Sequence, residues 1–420
     1  MNDVCASILL SSGWLKPRQL AELPRHEWRP ALIDAMARRG VGETRELKAR
    51  LNSELALRVE IYQHLREAGI HPRELAGMGT AARREALLAE LHERRGTPFR
   101  AMRDCDDRRL LEIASSEQLS GRLGPLVDGL ENVGRAAPVA YGLADGGGRP
   151  MDALKVLPQG SGDYLGIYHS RIGDAYRLQV ARSENLINWD RIAELGDHNH
   201  QGDIKRLGGG YLVVNERDEP RRGNHLRFRY YESLERLAAD EPHLDRDIPR
   251  SLSRWNEGTP DIRHIEGADP ERSAIFIGFH HYRRDGVIRK VDRLAAGVLS
   301  GFSRWTSWVD EPANQALAGL GFKGNFGSRC SFLWDDSTWL IQEAQLRWKD
   351  WSSWQVLLGN GRSYIRLVPR TPGASRSFAN PCLVRLPEGR FAAAFFLPHQ
   401  GNIQGEEGEL LYAVTVKPRS

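Results

Sequence analysis

The chain has 420 residues, more than one hydrophobic core commonly organises, so its length predicts two domains. Hydrophobic residues at 40% and charged residues at 27% describe an ordinary soluble globular protein. No apolar run approaches the roughly 20 residues of a bilayer span; the net charge of +4 comes from arginine without a basic run interleaved with aromatics, so neither membrane nor nucleic acid is expected as a partner.

The opening stretch MNDVCASILLSSGWLKP lacks a basic leader before its short apolar run, and the cytoplasm is the expected compartment. Cys5, Cys105, Cys330 and Cys382 are scattered with no CxxC pair, which argues against structural zinc and a disulfide framework. No cofactor and no metal are expected.

Residues 1–135 read as helices. LAELPRHEWRPALIDAMARRG places Leu23, Trp28, Leu32, Ile33 and Met36 at helical spacing, and LAGMGTAARREALLAELHERRG repeats the pattern with Leu75, Met78, Arg84, Leu87, Leu88 and Leu91. AMRDCDDRRLLEI is a fainter third copy. Such units bury their apolar faces against one another, which predicts a small helical bundle, either an accessory domain or a docking module for a protein partner. Residues 136–150, containing GLADGGGRP, read as a glycine-rich linker.

From 151 to 420 the rhythm changes to short runs of Val, Ile, Tyr, Phe and Trp between Gly, Pro, Asp and Asn turns, as in an all-β domain. DALKVLPQGSGDYLGIYHS, GDIKRLGGGYLVVNE, TPDIRHIEGADPERSAIFIGF, SRCSFLWDDSTWLIQEAQ and NPCLVRLPEGRFAAAFFLP share one order: a polar residue, a short apolar strand, a turn, a stronger apolar strand. Five copies predict a five-bladed β-propeller, giving a multidomain α plus all-β chain. SENLINWDRI, GFSRWTSWV and DWSSWQVLL place tryptophan after a serine-containing turn, and that recurrence assigns Trp189, Trp305, Trp308, Trp348, Trp351 and Trp354 to blade cores rather than to sugar stacking.

In a propeller the first strand of each blade lines the central channel. The residues opening those strands are Asp152, Asp203, Glu257 with Asp261, Arg329 and Asn380. Carboxylates crowded in one funnel raise one another's pKa, so one can hold a proton near neutrality, as glycosidic cleavage requires. Asp152 and Asp203 suit strand-start capping equally well. Glu257, in WNEGTPDIRHIEG, suits neither cap nor turn. Arg329 is placed either as a clamp on a substrate anion or as a partner of a channel aspartate. GDHNHQGD carries His198, His200 and Asp203 at metal-like spacing, but reads as a solvated rim with His200 facing substrate. His280 and His281, in GFHHYRR, read as packing or rim.

These strand openings, the hairpin GDYLGIY, the element ARSENLINW and the acidic EGTP before a strand resemble the five-bladed propeller glycosidases, most closely the arabinanase and β-xylosidase group called family 43. The resemblance spans about residues 145 to 418. It implies a base at Asp152, a residue that tunes and orients at Asp203, and an acid at Glu257, acting with inversion on a sugar or anionic glycoside. Asp261, Arg329, Asn380 and His200 would bind substrate. Thr259 separates Glu257-Gly258 from Pro260, which leaves Asp261 as the alternative third carboxylate.

Overall fold

A computed structural model of the chain describes residues 121–416 apart from 161, 220–222, 286–288 and 336, together with residues 23, 24, 27, 31, 61, 65, 78, 79 and 82–88. Contacts divide the chain into two compact units, 1–118 and 119–420. Most of the expected helical repeats lie outside the described residues; 82–88 are helical, with Leu87 and Leu88 buried. No helix among the described residues is long and apolar enough to cross a membrane.

The described residues of the second unit form a five-bladed propeller of twenty strands. Strand β1 (Val139–Ala140) precedes blade 1 in the chain but belongs to the last blade. Blade 1 is β2 (Asp152–Gly160), β3 (Asp163–Ile172), β4 (Ala175–Ser183) and β5 (Asp190–Asp197). Blade 2 is β6 (Asn199–Leu207), β7 (Gly210–Glu219), β8 (Gly223–Tyr231) and β9 (Leu244–Ile248). Blade 3 is β10 (Glu257–Glu266), β11 (Ala274–Asp285), β12 (Arg289–Ser300) and β13 (Arg304–Val309). Blade 4 is β14 (Phe326–Trp334), β15 (Ser337–Gln345), β16 (Trp354–Gly359) and β17 (Tyr364–Leu367). Blade 5 is β18 (Ala379–Arg385), β19 (Phe391–Leu397) and β20 (Gly408–Val414), completed by β1, where Val139 pairs with Tyr412 and Ala140 with Leu411. Every neighbouring pair within a blade is antiparallel, and the inner strands β2, β6, β10, β14 and β18 adjoin one another in a closed ring.

Apolar side chains of the blades pack in clusters that bridge neighbouring blades. Ile167, Leu178 and Ile204 meet between blades 1 and 2; Val214, Phe228, Ile277 and Phe279 meet between blades 2 and 3. Leu294, Leu317, Phe326 and Leu357 fill the joint between blades 3 and 4. A larger cluster joins blades 4, 5 and 1 and includes Leu123, Leu126, Leu130 and Val133. The first three of these lie at helical spacing on a helix over 121–131, whose apolar stripe therefore covers the propeller. Trp334 Nε1 donates to the Arg122 carbonyl at 2.9 Å, and the Tyr412 hydroxyl donates to the Leu130 carbonyl at 2.7 Å. Residues 121–150, expected as the end of a helical domain and a linker, are thus built into the propeller: their apolar side chains and their strand hydrogen bonds are satisfied there.

The expected blade-core tryptophans divide. Trp189 is fully buried against blade 1, and Trp305 packs on Phe228 and Phe279 at ring distances of 5.9 and 5.8 Å. Trp308 is exposed, while Trp348, Trp351 and Trp354 border a cavity.

Candidate active site

Each inner strand carries a bulge near its start, where two residues of the strand face one of its neighbour. The register shifts lie between Asp152 and Lys155, His200 and Asp203, Gly258 and Asp261, Phe326 and Arg329, and Ala379 and Cys382. In four blades the residue just inside the bulge is left-handed: Ala153 at φ 56°, Gln201 at 49°, Thr259 at 45° and Asn380 at 47°. The bulge turns that residue's N–H toward the preceding blade, where a buried acceptor meets it. Glu409 takes Ala153 N–H at 3.0 Å, His169 Nδ1 takes Gln201 N–H at 3.3 Å, and Glu216 takes Thr259 N–H at 2.9 Å. Glu343 takes the N–H groups of Asn380 and, at 2.5 Å, Ser328. Gly258 lets Glu216 in, since a Cβ at 258 would overlap that carboxylate.

The bulges separate two positions that look alike in sequence. Asp152 stands on the outer side of its bulge, at the level of His200, Gly258, Phe326 and Ala379. Asp203 and Asp261 stand on the inner side, at the level of Lys155, Arg329 and Cys382. Both inner carboxylates are buried and join blades: Asp203 takes Ile262 N–H at 2.7 Å, and Asp261 takes Ser331 N–H and hydroxyl, each at 2.8 Å. Lys155 reaches across beneath them, donating to the carbonyls of Pro381 and Arg329 at 2.5 and 3.2 Å and to the Ser328 hydroxyl at 3.3 Å. Burial opposes its charge, yet the sulfurs of Cys330 and Cys382 and the carboxylates of Asp203 and Asp261 raise its pKa. Burial raises the Asp203 carboxyl, with Lys205 pulling the other way.

Glu257 is 1% exposed, and one of its oxygens accepts three backbone N–H groups, from Ser251, Leu252 and Ser253 at 2.8, 2.6 and 2.9 Å. It anchors the loop that leads into β10. Arg329 leaves the channel wall altogether: its guanidinium fills the space above Gly278 and bonds Asp310 at 3.1 Å and the carbonyls of Ala295 and Phe279. The partner is an aspartate between blades 3 and 4, not one in the channel.

His200 meets Glu216 and Asp218, its Nε2 lying 3.6 Å from the first and 2.8 Å from the second. The donor atoms of these three lie within 4.8 Å of one another, a spacing that suits a cation. Burial opposes the His200 imidazolium, while Glu216 and Asp218 raise its pKa. Neighbouring His169, edge-on at 5.7 Å, is pushed down to about 3 by burial and the charge of His200. Asp203, grouped with His198 and His200 by spacing, points to Ile262 instead.

A cavity of about 580 Å³ opens beside these bulges. Gln201, Thr259, Gly327 and Asn380 contribute from the inner strands, and His280, Asp292 and Glu343 from the strands behind them. Trp348, Trp351 and Trp354 border it on one side. Of the residues expected at the site, Asn380 lines this cavity; Asp152, Asp203, Glu257, Asp261, Arg329 and His200 do not. Asp152 is one step round the ring from it, at the level of the lining residue Ala379.

The two carboxyl groups on the cavity wall, Glu343 and Asp292, and two at the bulge of blade 1, Asp152 and Glu409, are held toward their protonated forms. Burial raises Glu343 to about 7, against the pull of the Asn380 and Ser328 N–H groups. Burial raises Asp292 to about 6, with His280 opposing it. Burial raises Asp152 to about 6, and burial together with Asp152 raises Glu409 further above the ordinary range. The arrangement therefore offers proton donors near neutrality beside aromatic faces, a combination suited to acid–base work on a ring-shaped ligand. Sequence reasoning missed Glu216, Asp292, Glu343 and Glu409. Their one signal is a charged residue inside an apolar second or third strand, as in LVVNE, KVDRLAAG, WLIQEA and GELLYAV.

No protein-family model matches the sequence, and no curated protein matches it. Solved propellers do. An endo-arabinase from Bacteroides thetaiotaomicron superposes with a TM-score of 0.42 at 11% identity, covering 67% of this chain and 99% of its own. A thermostable family-43 glycoside hydrolase gives 0.43 at 10%, covering 67% and 97%. A glycosyl hydrolase from Bacteroides ovatus gives 0.44 at 10%, covering 70% and 95%.

Proposed function

We propose that the propeller is a glycoside-cleaving enzyme that works through acid and base carboxylates at the bulged end of its inner strands. The observation that carries this reading is Glu343: a buried carboxyl held near pH 7, on the wall of a cavity that Trp348, Trp351 and Trp354 border. Glu343 donates its proton to the leaving glycosidic oxygen. Asp152, one step round the ring and ionised above about pH 6, activates water. Asp203 acts through position, tying the inner strands of blades 2 and 3 together. The acid role expected for Glu257 passes to Glu343, because Glu343 lines the cavity whereas Glu257 lies off it, one of its oxygens anchoring the loop before β10. Asn380 contacts substrate directly, while Asp261, Arg329 and His200 hold the surrounding strands.

Hydrolysis of a panel of aryl glycosides tests this. Glu343→Gln and Asp152→Asn are each expected to lower kcat about 10²–10⁴-fold, the usual contribution of a positioned acid or base. Full activity in either variant, or no turnover of any glycoside by the natural sequence, defeats the reading. A binding role without hydrolysis, or other acid–base chemistry on the same scaffold, is favoured by one observation: both Glu343 oxygens already hold backbone N–H groups. In that case sugar binding survives in Glu343→Gln with no catalysis to lose.

A further inference from the structure

The left-handed bulge residue recurs in four blades as Ala153, Gln201, Thr259 and Asn380, so the bulge is a property of the architecture. What differs between the copies is the chemistry placed on it. Blade 3 puts a hydroxyl there, on a β-branched residue for which a φ of 45° is strained. Opposite it, on β11, His280 Nδ1 lies 2.5 Å from Thr259 Oγ1. Behind it, on β12, Asp292 Oδ1 lies 3.4 Å from His280 Nε2. That oxygen is buried and has no hydrogen-bond partner, so the imidazole is the group available to it. A carboxylate at Nε2 favours the tautomer with its proton there, which leaves Nδ1 as the acceptor facing the threonine hydroxyl. All three side chains border the cavity, and Tyr282 stacks on His280 at 6.0 Å and 20° between planes.

We propose that Thr259, His280 and Asp292 form a nucleophile, base and orienting acid, and that the cavity cleaves small acyl esters. The order hydroxyl–imidazole–carboxylate is the one that activates serine and threonine elsewhere, whatever the fold. The Thr259 oxygen attacks the ester carbonyl as its proton passes to His280 Nδ1. The ester C–O bond breaks, and the departing alcohol takes that proton. Water then attacks the acyl-threonine, gives a proton to His280, and releases the carboxylic acid as the proton returns to Thr259. Asn325 and Lys290, also on the cavity wall, supply donors toward the carbonyl oxygen. This inference does not rest on the glycosidase reading.

The test uses the full chain with p-nitrophenyl acetate. A burst of about one nitrophenolate per chain is expected, with one acetyl group on the peptide carrying Thr259 by mass spectrometry. Thr259→Ser keeps the burst, Thr259→Val abolishes it, and His280→Gln slows it about 10²-fold or more. Acetyl groups confined to lysines, or a burst that persists in Thr259→Val, overturns the assignment. Absence of a burst in both the natural chain and Thr259→Ser, with thermal unfolding intact, overturns it equally. Aryl glycoside hydrolysis is read separately, so either activity can be lost without the other.

Discussion

The carboxylate of Asp203 on β6 accepts the N–H of Ile262 on β10 at 2.7 Å, and one blade further round Asp261 repeats the link to Ser331 at 2.8 Å. Inner strands of neighbouring blades do not share a ladder, so these side chains do the work that backbone pairing does inside a blade. Asp203→Ala and Asp261→Ala are each expected to cost about 3 kcal/mol, because each leaves buried N–H groups unpaired and removes a counter-charge from Lys155. Urea denaturation measures this as a lowered midpoint at unchanged m. A loss below about 0.5 kcal/mol contradicts the role.

Glu343 sets a pH dependence whose sign is unusual for a carboxyl group. Its folded pKa of about 7 lies above the ordinary value of 4.5, so between the two the folded chain keeps a proton that the unfolded chain has released. The stabilisation is complete below about pH 4.5 and is lost as pH rises through about 7, at most roughly 3 kcal/mol. Asp152, raised from 3.8 to about 6, adds a fall over a lower window. Stability measured from pH 5 to 8 should therefore decline, and Glu343→Gln should flatten the upper part of that decline. An unchanged slope in the variant would mean that Glu343 titrates normally.

Glu257 offers a clean separation of structure from catalysis. Glu257→Ala strips an acceptor from three N–H groups and is expected to lower stability by about 2–4 kcal/mol. Glu257→Gln retains a carbonyl oxygen in the same place and should keep turnover within about tenfold, well short of the loss of a general acid. Comparing kcat with the unfolding midpoint for both variants decides the matter. A Gln variant that is stable yet inactive would restore Glu257 as the acid.

Gly278 tests the packing of Arg329. A Cβ at 278 would overlap the guanidinium, which bonds to Asp310 and two carbonyls hold in place. Gly278→Ala should cost about 1–3 kcal/mol through overpacking, seen as a lower thermal midpoint. Tolerance without loss would mean that the arginine has room to move.

The repeating strand pairs were legible in sequence because a half-buried strand alternates and a turn needs Gly, Asp or Asn, whatever surrounds them. The alignment of the five openings was less so. A bulge adds one residue to a strand without changing its composition, and this moved Asp203 and Asp261 one level deeper than Asp152. Arg329 carried no sign that it would leave the channel, because its destination depends on the missing side chain at Gly278 and on Asp310. The acids nearest the cavity lie on second and third strands. DRLAAG and WLIQEA read as core until the inner strand's bulge opens a space in front of Asp292 and Glu343. His280 was placed among packing residues for the same reason.

The short strand Val139–Ala140 closes the ring against β20, and the helix over 121–131 lies just before it. A protein of this kind trimmed at its most obvious hinge, the glycines of 146–148, would keep nineteen of its twenty strands and still be damaged. Leu410, Leu411 and Tyr412 would lose cover, and β20 would present an open edge to any passing chain. What resembles a tether between domains is the clasp of a bracelet, and tethers can be cut where clasps cannot.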